Sequence, residues 1–394
     1  MNATAHRVSA AVRVAQSDGR IVGAGAGTTP TLPKTRRLVV QGLVLAILTG
    51  CGGSGAGGAP AAPVAPVYPS LRAADLAVLI AEGDTTSEAV ARAYQQARGI
   101  PEANMIRVPV PTGAAAIDVT AFASLKAAID ARLPAGVQAT LVTWSQPSRV
   151  NGSCSMGITS ALAFGYDTSQ CGGCVATRAS AYYDSDSGRP WTEHGLRPSM
   201  MLGADTLAGA QALINRGLAA EASLSRGGVA AHAWLVRTND AGRSVRYDDF
   251  RTLAATTVPG VAMHYVDNAS GGGSNAVTNQ RNVLFYFTGL PQVPDIGTNS
   301  YLPGAVADHL TSSAGYLPDG GGQMPATEWL RAGATGSYGT VEEPCNYAQK
   351  FPRASVLVKH YRRGNTLIEA YWKSVQWPGQ GLFLGDPLSR PWGP

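Results

Sequence analysis

The stretch that decides the fold is PGAVADHLTSSAG at residues 303–315, followed by GATGSYGTVEEP at 333–344 and LGDPLSRPW at 384–392. In the first segment, small and branched apolar residues lead into the polar pair Asp308 and His309 and then into a Thr-Ser-Ser cluster. Buried strands of parallel sheets have this nearly continuous apolar character, and ligands bind beyond their carboxyl ends. The stretch therefore predicts a strand that ends at the functional edge of a parallel sheet.

Apolar runs and helical patterns alternate on both sides of this stretch. The sequence predicts strands at 75–80, 104–108, 138–143, 229–236, 261–266, 282–288, 305–310, near 334 and at 382–384. It predicts helices at 86–98, 119–133, 206–223, 247–255, 325–332, 352–362 and 367–375, the first of them capped by Thr85 or Thr86. Strands that alternate with helices at this spacing indicate βαβ units. We therefore expect an α/β fold, with a doubly wound, largely parallel sheet and helices on both faces.

These elements predict a single α/β domain over residues 71–394. Between 145 and 198 the alternation stops and small polar residues and cysteines take over, which indicates a loop-rich insertion. Because the alternation resumes afterwards, we expect two similar halves with a seam near residue 198. Residues 51–70 are mainly Gly, Ala, Pro and Ser, a composition that does not bury enough surface to fold. We expect this segment to be a disordered tether.

The segment that ends at Cys51 has the three parts of an export signal. Residues 34–37 are KTRR, residues 38–49 are apolar to neutral, and residues 48–51 are LTGC. This order resembles a bacterial lipoprotein signal, in which the cysteine is lipidated and becomes the new N-terminus. The alternative is a short buried helix over the apolar part, which is too short to span a bilayer. We expect residues 1–50 to be a signal region whose true start lies nearer the basic segment.

The charge distribution argues against a nucleic-acid partner. Six of the 31 Lys and Arg residues and one of the 26 Asp and Glu residues precede Cys51, which leaves 25 of each sign. The remaining chain is formally neutral, so the net charge of +5 belongs to the signal region. We expect a membrane partner through the lipid on Cys51, with Gly52 favouring the outer membrane and a domain that faces the periplasm or the surface.

Four cysteines remain for the folded domain, namely Cys154, Cys171, Cys174 and Cys345. An exported chain folds in an oxidising compartment, so we expect one or two disulfides among them, with the pairing left open. The CGGC segment at 171–174 also has the spacing of half a zinc site or of a redox pair. No second pair of zinc ligands stands at a recognisable spacing, and the segment does not open a predicted helix.

Two predicted strands, in NVLFYFTGLP at 282–291 and AVADHLTSSAG at 305–315, end in polar or glycine-rich turns. Together with the C-terminal segments and TNDAGRSVRYDDF at 238–250, they resemble an uncharacterised family of exported bacterial proteins that is distantly similar to gingipain-type, caspase-like cysteine peptidases. The resemblance runs from the region of Leu71 to Pro394 and implies a caspase-like sheet. In those peptidases one of these strands ends in a histidine base and the next in a cysteine nucleophile.

The resemblance places the histidine position at Leu290 and the cysteine position near Thr311 or Ser312, so both catalytic residues are absent. Two interpretations remain open. In the first, the domain is a noncatalytic binding or scaffold module, and Asp308 and His309 hold nearby backbone groups at the rim. We prefer this interpretation, because a serine hydroxyl without a base is a weak nucleophile.

The second interpretation is a peptidase-like hydrolase. Its catalytic candidates are His309 acting with Ser312 or Ser313, with Asp308 ordering the imidazole.

Metal and cofactor sites are weakly indicated. Glu342 and Glu343 are an alternative ligand set for a divalent cation together with the Asp-His pair, but acidic pairs in loops are usually solvated. The GATGSYGT segment lacks the lysine of a phosphate-binding loop. We expect no metal and no cofactor. The interleaved Arg and Asp residues of 237–249 predict a salt-linked surface.

Overall fold

The computed structural model describes residues 69–227 and 229–393 of the 394-residue chain. The predicted signal, the lipidation site at Cys51 and nearly all of the predicted tether lie outside the described residues. Among the residues that are described, no helix has the length and apolar character needed to cross a membrane.

The main feature is a ten-stranded sheet, accompanied by a small sheet of three short strands. In chain order the strands are β1 (Leu76–Ala81), β2 (Met105–Val108), β3 (Ala116–Asp118), β4 (Ala139–Val142), β5 (Arg149–Asn151), β6 (Ser155–Gly157), β7 (Ser199–Met201), β8 (Ala231–Arg237), β9 (Val261–Asp267), β10 (Val283–Thr288), β11 (Tyr301–His309), β12 (Gly336–Thr340) and β13 (Gly381–Gly385). The small sheet contains β3, β5 and β6.

The strand order of the large sheet is β2-β1-β4-β7-β13-β12-β11-β10-β8-β9. Neighbouring strands are parallel everywhere except at β12 and β13, which pair antiparallel. The sheet thus consists of two parallel blocks that run in opposite directions. The two blocks share one strand order. Counted from its own edge of the sheet, the first block begins β2-β1-β4-β7 and the second begins β9-β8-β10-β11. The last strand of the chain returns to complete the first block.

Nine helices connect the strands in the described part of the chain. They are α1 (Thr85–Arg98), α2 (Val119–Asp130), α3 (Ile158–Phe164), α4 (Pro190–His194), α5 (Leu207–Ala219), α6 (Tyr247–Ala254), α7 (Thr327–Ala332), α8 (Ala354–Arg362) and α9 (Leu367–Ser374). Side-chain caps define several starts, since Asp118 accepts a hydrogen bond from Ala121 N and Thr206 from Gly209 N. The cap of α1 is Asp84, not Thr85 or Thr86, because its carboxylate reaches the N–H of Ser87.

The prediction of an α/β fold with a mostly parallel sheet is confirmed. The predicted elements do not include α3, α4, β7 and the small sheet, most of which lie in or beside the loop-rich region, whereas β3 precedes it. Strands of three residues have too little periodicity to be recognised, and they depend on their partners for stability. Strand β11 also begins earlier than predicted, at Tyr301.

The core is continuous across the centre of the sheet. All six residues of β1 and all six of β10 are buried, as are the last six residues of β11. Such strands are covered on both faces, which explains their unbroken apolar runs. Beyond β11, the carboxyl ends of β8, β10, β11 and β12 share one edge of the sheet because these strands are parallel.

Two disulfides confirm the prediction of cystine bridges. Cys154 pairs with Cys171, and Cys174 pairs with Cys345 across 171 residues of sequence. The second bridge ties the loop-rich region to the loop that follows β12. Since all four sulfurs are in disulfides and Cys171 and Cys174 are not each other's partner, the zinc-site and redox-pair alternatives for CGGC are wrong.

Candidate functional site

The end of β11 places Asp308 and His309 on opposite faces of the sheet, because successive side chains of a strand alternate. Both residues are fully buried. The pair expected at the rim of the sheet thus lies inside the fold. Each residue must be understood from the contacts on its own face.

On one face, Asp308 forms a buried ion pair with Arg246, which lies just before α6. Arg246 Nη1 donates to Asp308 Oδ1 at 2.7 Å, and the two side chains are 3% and 1% exposed. The same guanidinium donates to the carbonyls of Thr288 at 2.7 Å and Pro352 at 3.1 Å. One arginine therefore holds the ends of β10 and β11 against the loop before α8. This burial corrects the prediction that the arginines of 237–249 all lie on a salt-linked surface.

This pair leaves two buried polar atoms without partners. Asp308 Oδ2 and Arg246 Nε have no hydrogen bond to any described residue. Burial raises the pKa of Asp308, and the neighbouring Arg246 opposes that shift. Unpaired buried polar atoms are rare in native proteins, and a bound water, ion or ligand is a common reason for them.

A pocket of about 200 Å³ lies beside Arg246. Its lining includes Tyr183, Val245, Arg246, Asp249, Phe351 and Arg353. The pocket thus combines an apolar wall with donors and acceptors, as ligand sites do. It is formed by loops that follow the carboxyl ends of β8 and β12, where open α/β sheets bind ligands.

The rim of the pocket is held by Asp249 in the first turn of α6. Its carboxylate accepts from Arg353 Nε at 3.0 Å, from Ser355 N at 3.0 Å and from Ser355 Oγ at 2.5 Å. Asp249 therefore satisfies the start of α8 while it positions Arg353. The side chain of Arg353 also interacts with Tyr183, yet it remains 58% exposed at the mouth of the pocket.

On the other face, His309 has a partner at each ring nitrogen. Trp329 Nε1 donates to Nδ1 at 2.9 Å, and Nε2 lies 3.1 Å from the carbonyl of Met324. An indole N–H only donates and a carbonyl only accepts, so His309 is neutral with its proton on Nε2. Burial lowers the pKa of His309 to about 3, although the hydrogen bond to Met324 raises it.

The Ser313 hydroxyl is engaged elsewhere than at His309, and at Ser312 the backbone carbonyl makes a contact. Ser313 Oγ donates to the carbonyl of Gly320 at 2.5 Å and contacts Gln323 Oε1 at 3.1 Å. The carbonyl of Ser312 accepts from Thr340 Oγ1 at 3.0 Å. His309 therefore bonds to Trp329 and Met324 in place of the hydrogen bond expected with Ser312 or Ser313. Asp308 does not orient the imidazole either, because it lies on the opposite face.

The positions of the peptidase dyad carry structural contacts. Leu290 packs against the apolar cluster that contains Trp329. Thr311 is buried, donates to Gln323 Oε1 at 2.7 Å and accepts from Arg243 Nε at 3.2 Å. Neither position provides a base or a thiol.

The alternative metal ligands do not come together. Glu342 accepts from Ser155 N at 3.0 Å and Glu343 from Cys345 N at 2.8 Å. Among the described residues, a metal-like grouping contains Cys154, Cys171 and Glu342, but its two sulfurs are bonded to each other. A sulfur in a disulfide is not a thiolate ligand, so this grouping is not a metal site.

Sequence reasoning missed Arg246, Arg353 and Trp329 as members of the site. Arg246 stands in a segment rich in charges of both signs, where nothing in the pattern marks one arginine as buried. Its separation from Asp308 by 62 residues makes the pair invisible without the strand order. One feature of the sequence could have pointed to Arg246, because its segment directly follows the strand predicted at 229–236.

Comparison of the chain with protein-family models, with curated proteins and with solved structures finds no match. The functional argument therefore rests on the geometry of the described residues.

Proposed function

We propose that the chain is an exported, lipid-anchored envelope protein whose α/β domain binds a small ligand and does not catalyse a reaction. The caspase-like relationship is part of this proposal and explains why the site lies at the carboxyl ends of the strands. The observation that carries the binding function is the pocket of about 200 Å³ that Arg246 and Arg353 both line. The two disulfides support export, since they form in oxidising compartments.

The noncatalytic part of the proposal rests on the state of His309. A general base must accept a proton from its nucleophile, but the accepting nitrogen of His309 is occupied by Trp329. Its low pKa also makes it a poor base near neutral pH. A hydrolase using Ser312 or Ser313 would have to break these buried contacts first.

The ligand class follows from the donors around the pocket. Two arginines, Arg246 and Arg353, line the pocket, and Arg353 is more than half exposed, so the ligand carries hydrogen-bond acceptors, of which a carboxylate suits a guanidinium best. A volume of about 200 Å³ is below the ~300 Å³ of ordinary ligand pockets, which favours a small carboxylate or the end of a longer molecule.

Calorimetric titration with acetate, succinate and citrate tests this function. We expect saturable binding of at least one of them to the wild type, and loss of that binding in Arg353→Met. Arg331→Met is the matched control, because Arg331 is a half-exposed, ion-paired arginine outside the pocket lining. Equal binding by wild type and Arg353→Met would remove the pocket from the proposal.

Activity-based labelling separates the binding module from a hydrolase. A fluorophosphonate probe for serines and an iodoacetamide probe for thiols should leave Ser312, Ser313 and the folded wild-type chain unlabelled. Labelling that disappears in Ser312→Ala or Ser313→Ala, with the circular dichroism spectrum unchanged, would establish the hydrolase instead.

The lipid anchor has its own test. Globomycin treatment, or the variant Cys51→Ala, should leave the unprocessed precursor and remove the chain from the outer-membrane fraction. Unchanged size and fractionation in both cases would contradict the anchor without affecting the binding pocket.

A further inference from the structure

Two histidines face each other at one end of the ten-stranded sheet. His232 lies in β8 and His264 in the edge strand β9, and both side chains are half-buried. The register pairs His264 with Trp234 and His232 with Ala262. The histidines are therefore two residues apart along neighbouring strands and share one face with Trp234.

The two rings meet through their nitrogens. His232 Nδ1 and His264 Nε2 are 3.0 Å apart, and the ring centroids are 5.2 Å apart with only 26° between the planes. This combination means that the nitrogens lie between the two rings and point towards each other. A single proton sits between them, with one nitrogen donating and the other accepting.

Trp234 holds this arrangement in place. Its indole stacks on the His264 ring with 4.2 Å between centroids and an angle of 14°. Trp234 itself packs against the apolar cluster beneath it. The stack therefore limits the movement of the His264 ring and keeps Nε2 close to His232 Nδ1.

We propose that His232 and His264 bind a divalent transition-metal ion, with Cu²⁺ bound most tightly. Metal–nitrogen bonds of about 2.0–2.1 Å at angles between square-planar and tetrahedral place two ligand nitrogens ~2.9–3.3 Å apart. The observed separation of 3.0 Å lies in this range. Imidazole suits copper, nickel and zinc, and Cu²⁺ is the strongest binder of the divalent series.

The metal replaces the shared proton as the bridge between the rings, and both rings rotate so that their lone pairs converge on the ion beside the line that joins the two nitrogens. The histidine that donated moves its proton to its other ring nitrogen, so both rings stay neutral and no net proton is released. Each then offers a lone pair to the ion, and water completes the coordination.

Titration of the full chain with CuCl₂ tests this site by calorimetry and by electron paramagnetic resonance. We expect one Cu²⁺ per chain whose spectrum shows coupling to two imidazole nitrogens. The variants His264→Phe, which keeps the stacking on Trp234, and His232→Asn should each weaken this binding by about ten-fold or more. His194→Asn is the matched control, since His194 is half-buried and hydrogen-bonded to Ser185 but lies outside the pair.

The resonance spectrum of the wild type keeps the test valid even if a variant fails to fold. Coupling to fewer than two nitrogens, a loss in only one of the two variants, or an equal loss in His194→Asn would overturn the two-histidine site. The binding pocket beside Arg246 shares no residue with this site, so the two proposals fail independently.

Discussion

The two faces of the sheet at the end of β11 differ in how completely their buried polar atoms are paired. On the His309 face, both ring nitrogens have partners of the right type. On the Asp308 face, Asp308 Oδ2 and Arg246 Nε have none among the described residues, and a pocket lies beside them. Two adjacent residues of one strand therefore serve different purposes. The complete hydrogen-bond set indicates a structural role for His309, and the incomplete one is the feature beside which we propose a ligand binds.

The largest expected effect comes from breaking the ion pair on the Asp308 face. Arg246→Met should lower the free energy of unfolding by about 3–5 kcal/mol, because the Asp308 carboxylate would stay buried without its cation. Urea denaturation followed by circular dichroism measures the change. The double variant Arg246→Met with Asp308→Leu should regain part of the loss, since no charge remains buried. A loss below about 1 kcal/mol in the single variant would show that the pair is solvated.

The second effect belongs to the His309 face and depends on pH. The pKa of His309 is about 3 in the folded chain, against an ordinary value of 6.5, so the unfolded chain binds the proton first. The contribution of His309 to stability is therefore complete above pH 6.5. It falls by about 1.4 kcal/mol for each pH unit as the pH drops towards 3.

The variant His309→Gln isolates the contribution of His309 to the pH dependence of stability, because glutamine can accept from Trp329 and donate to Met324 without titrating. Its unfolding free energy should depend less steeply on pH than that of the wild type between about pH 6 and pH 4. His360, whose pKa burial lowers to about 4, is unchanged in both proteins and cancels in the comparison. Identical slopes would mean that His309 is not held neutral.

A smaller effect is expected for Ser313, which lies just beyond β11. Ser313→Ala should cost about 1 kcal/mol, the usual value for lost hydrogen bonds such as those to Gly320 and Gln323. Thermal unfolding of the variant beside wild type measures it. A gain in stability would point to a strained serine, which is typical of a functional residue, and would weaken the contrast between the two faces.

The smallest stability effect is predicted for Arg353 at the mouth of the pocket. Its side chain is more than half exposed, so Arg353→Met should change the free energy of unfolding by less than about 1 kcal/mol. Carboxylate binding should nevertheless be lost. A large loss of stability would instead show that Arg353 acts through Asp249 to hold α8 in place, and that its role is structural.

The sequence predicted the strand that ends at Asp308 and His309, the alternation of strands with helices, and disulfides among the four cysteines of the domain. Each of these depends on local pattern or on composition, and the apolar run of β11 shows why such patterns work. A strand buried on both faces has to be apolar throughout.

The contacts that decide the site were not predictable in this way. Polarity at a strand end indicated a site, but it did not show that Asp308 would meet Arg246 or that His309 would meet Trp329. The pairing Cys174–Cys345 spans 171 residues and was likewise open from the sequence.

The sequence by itself thus determined the fold class and the strand that carries Asp308 and His309, because both follow from the spacing of apolar and polar residues. Only the tertiary structure decided that Asp308 and His309 lie on opposite faces with separate partners, and that Arg246 is buried beside a pocket. The physical reason is that hydrogen bonds and ion pairs act over about 3 Å in space, while their members are set by strand order across distant parts of the chain.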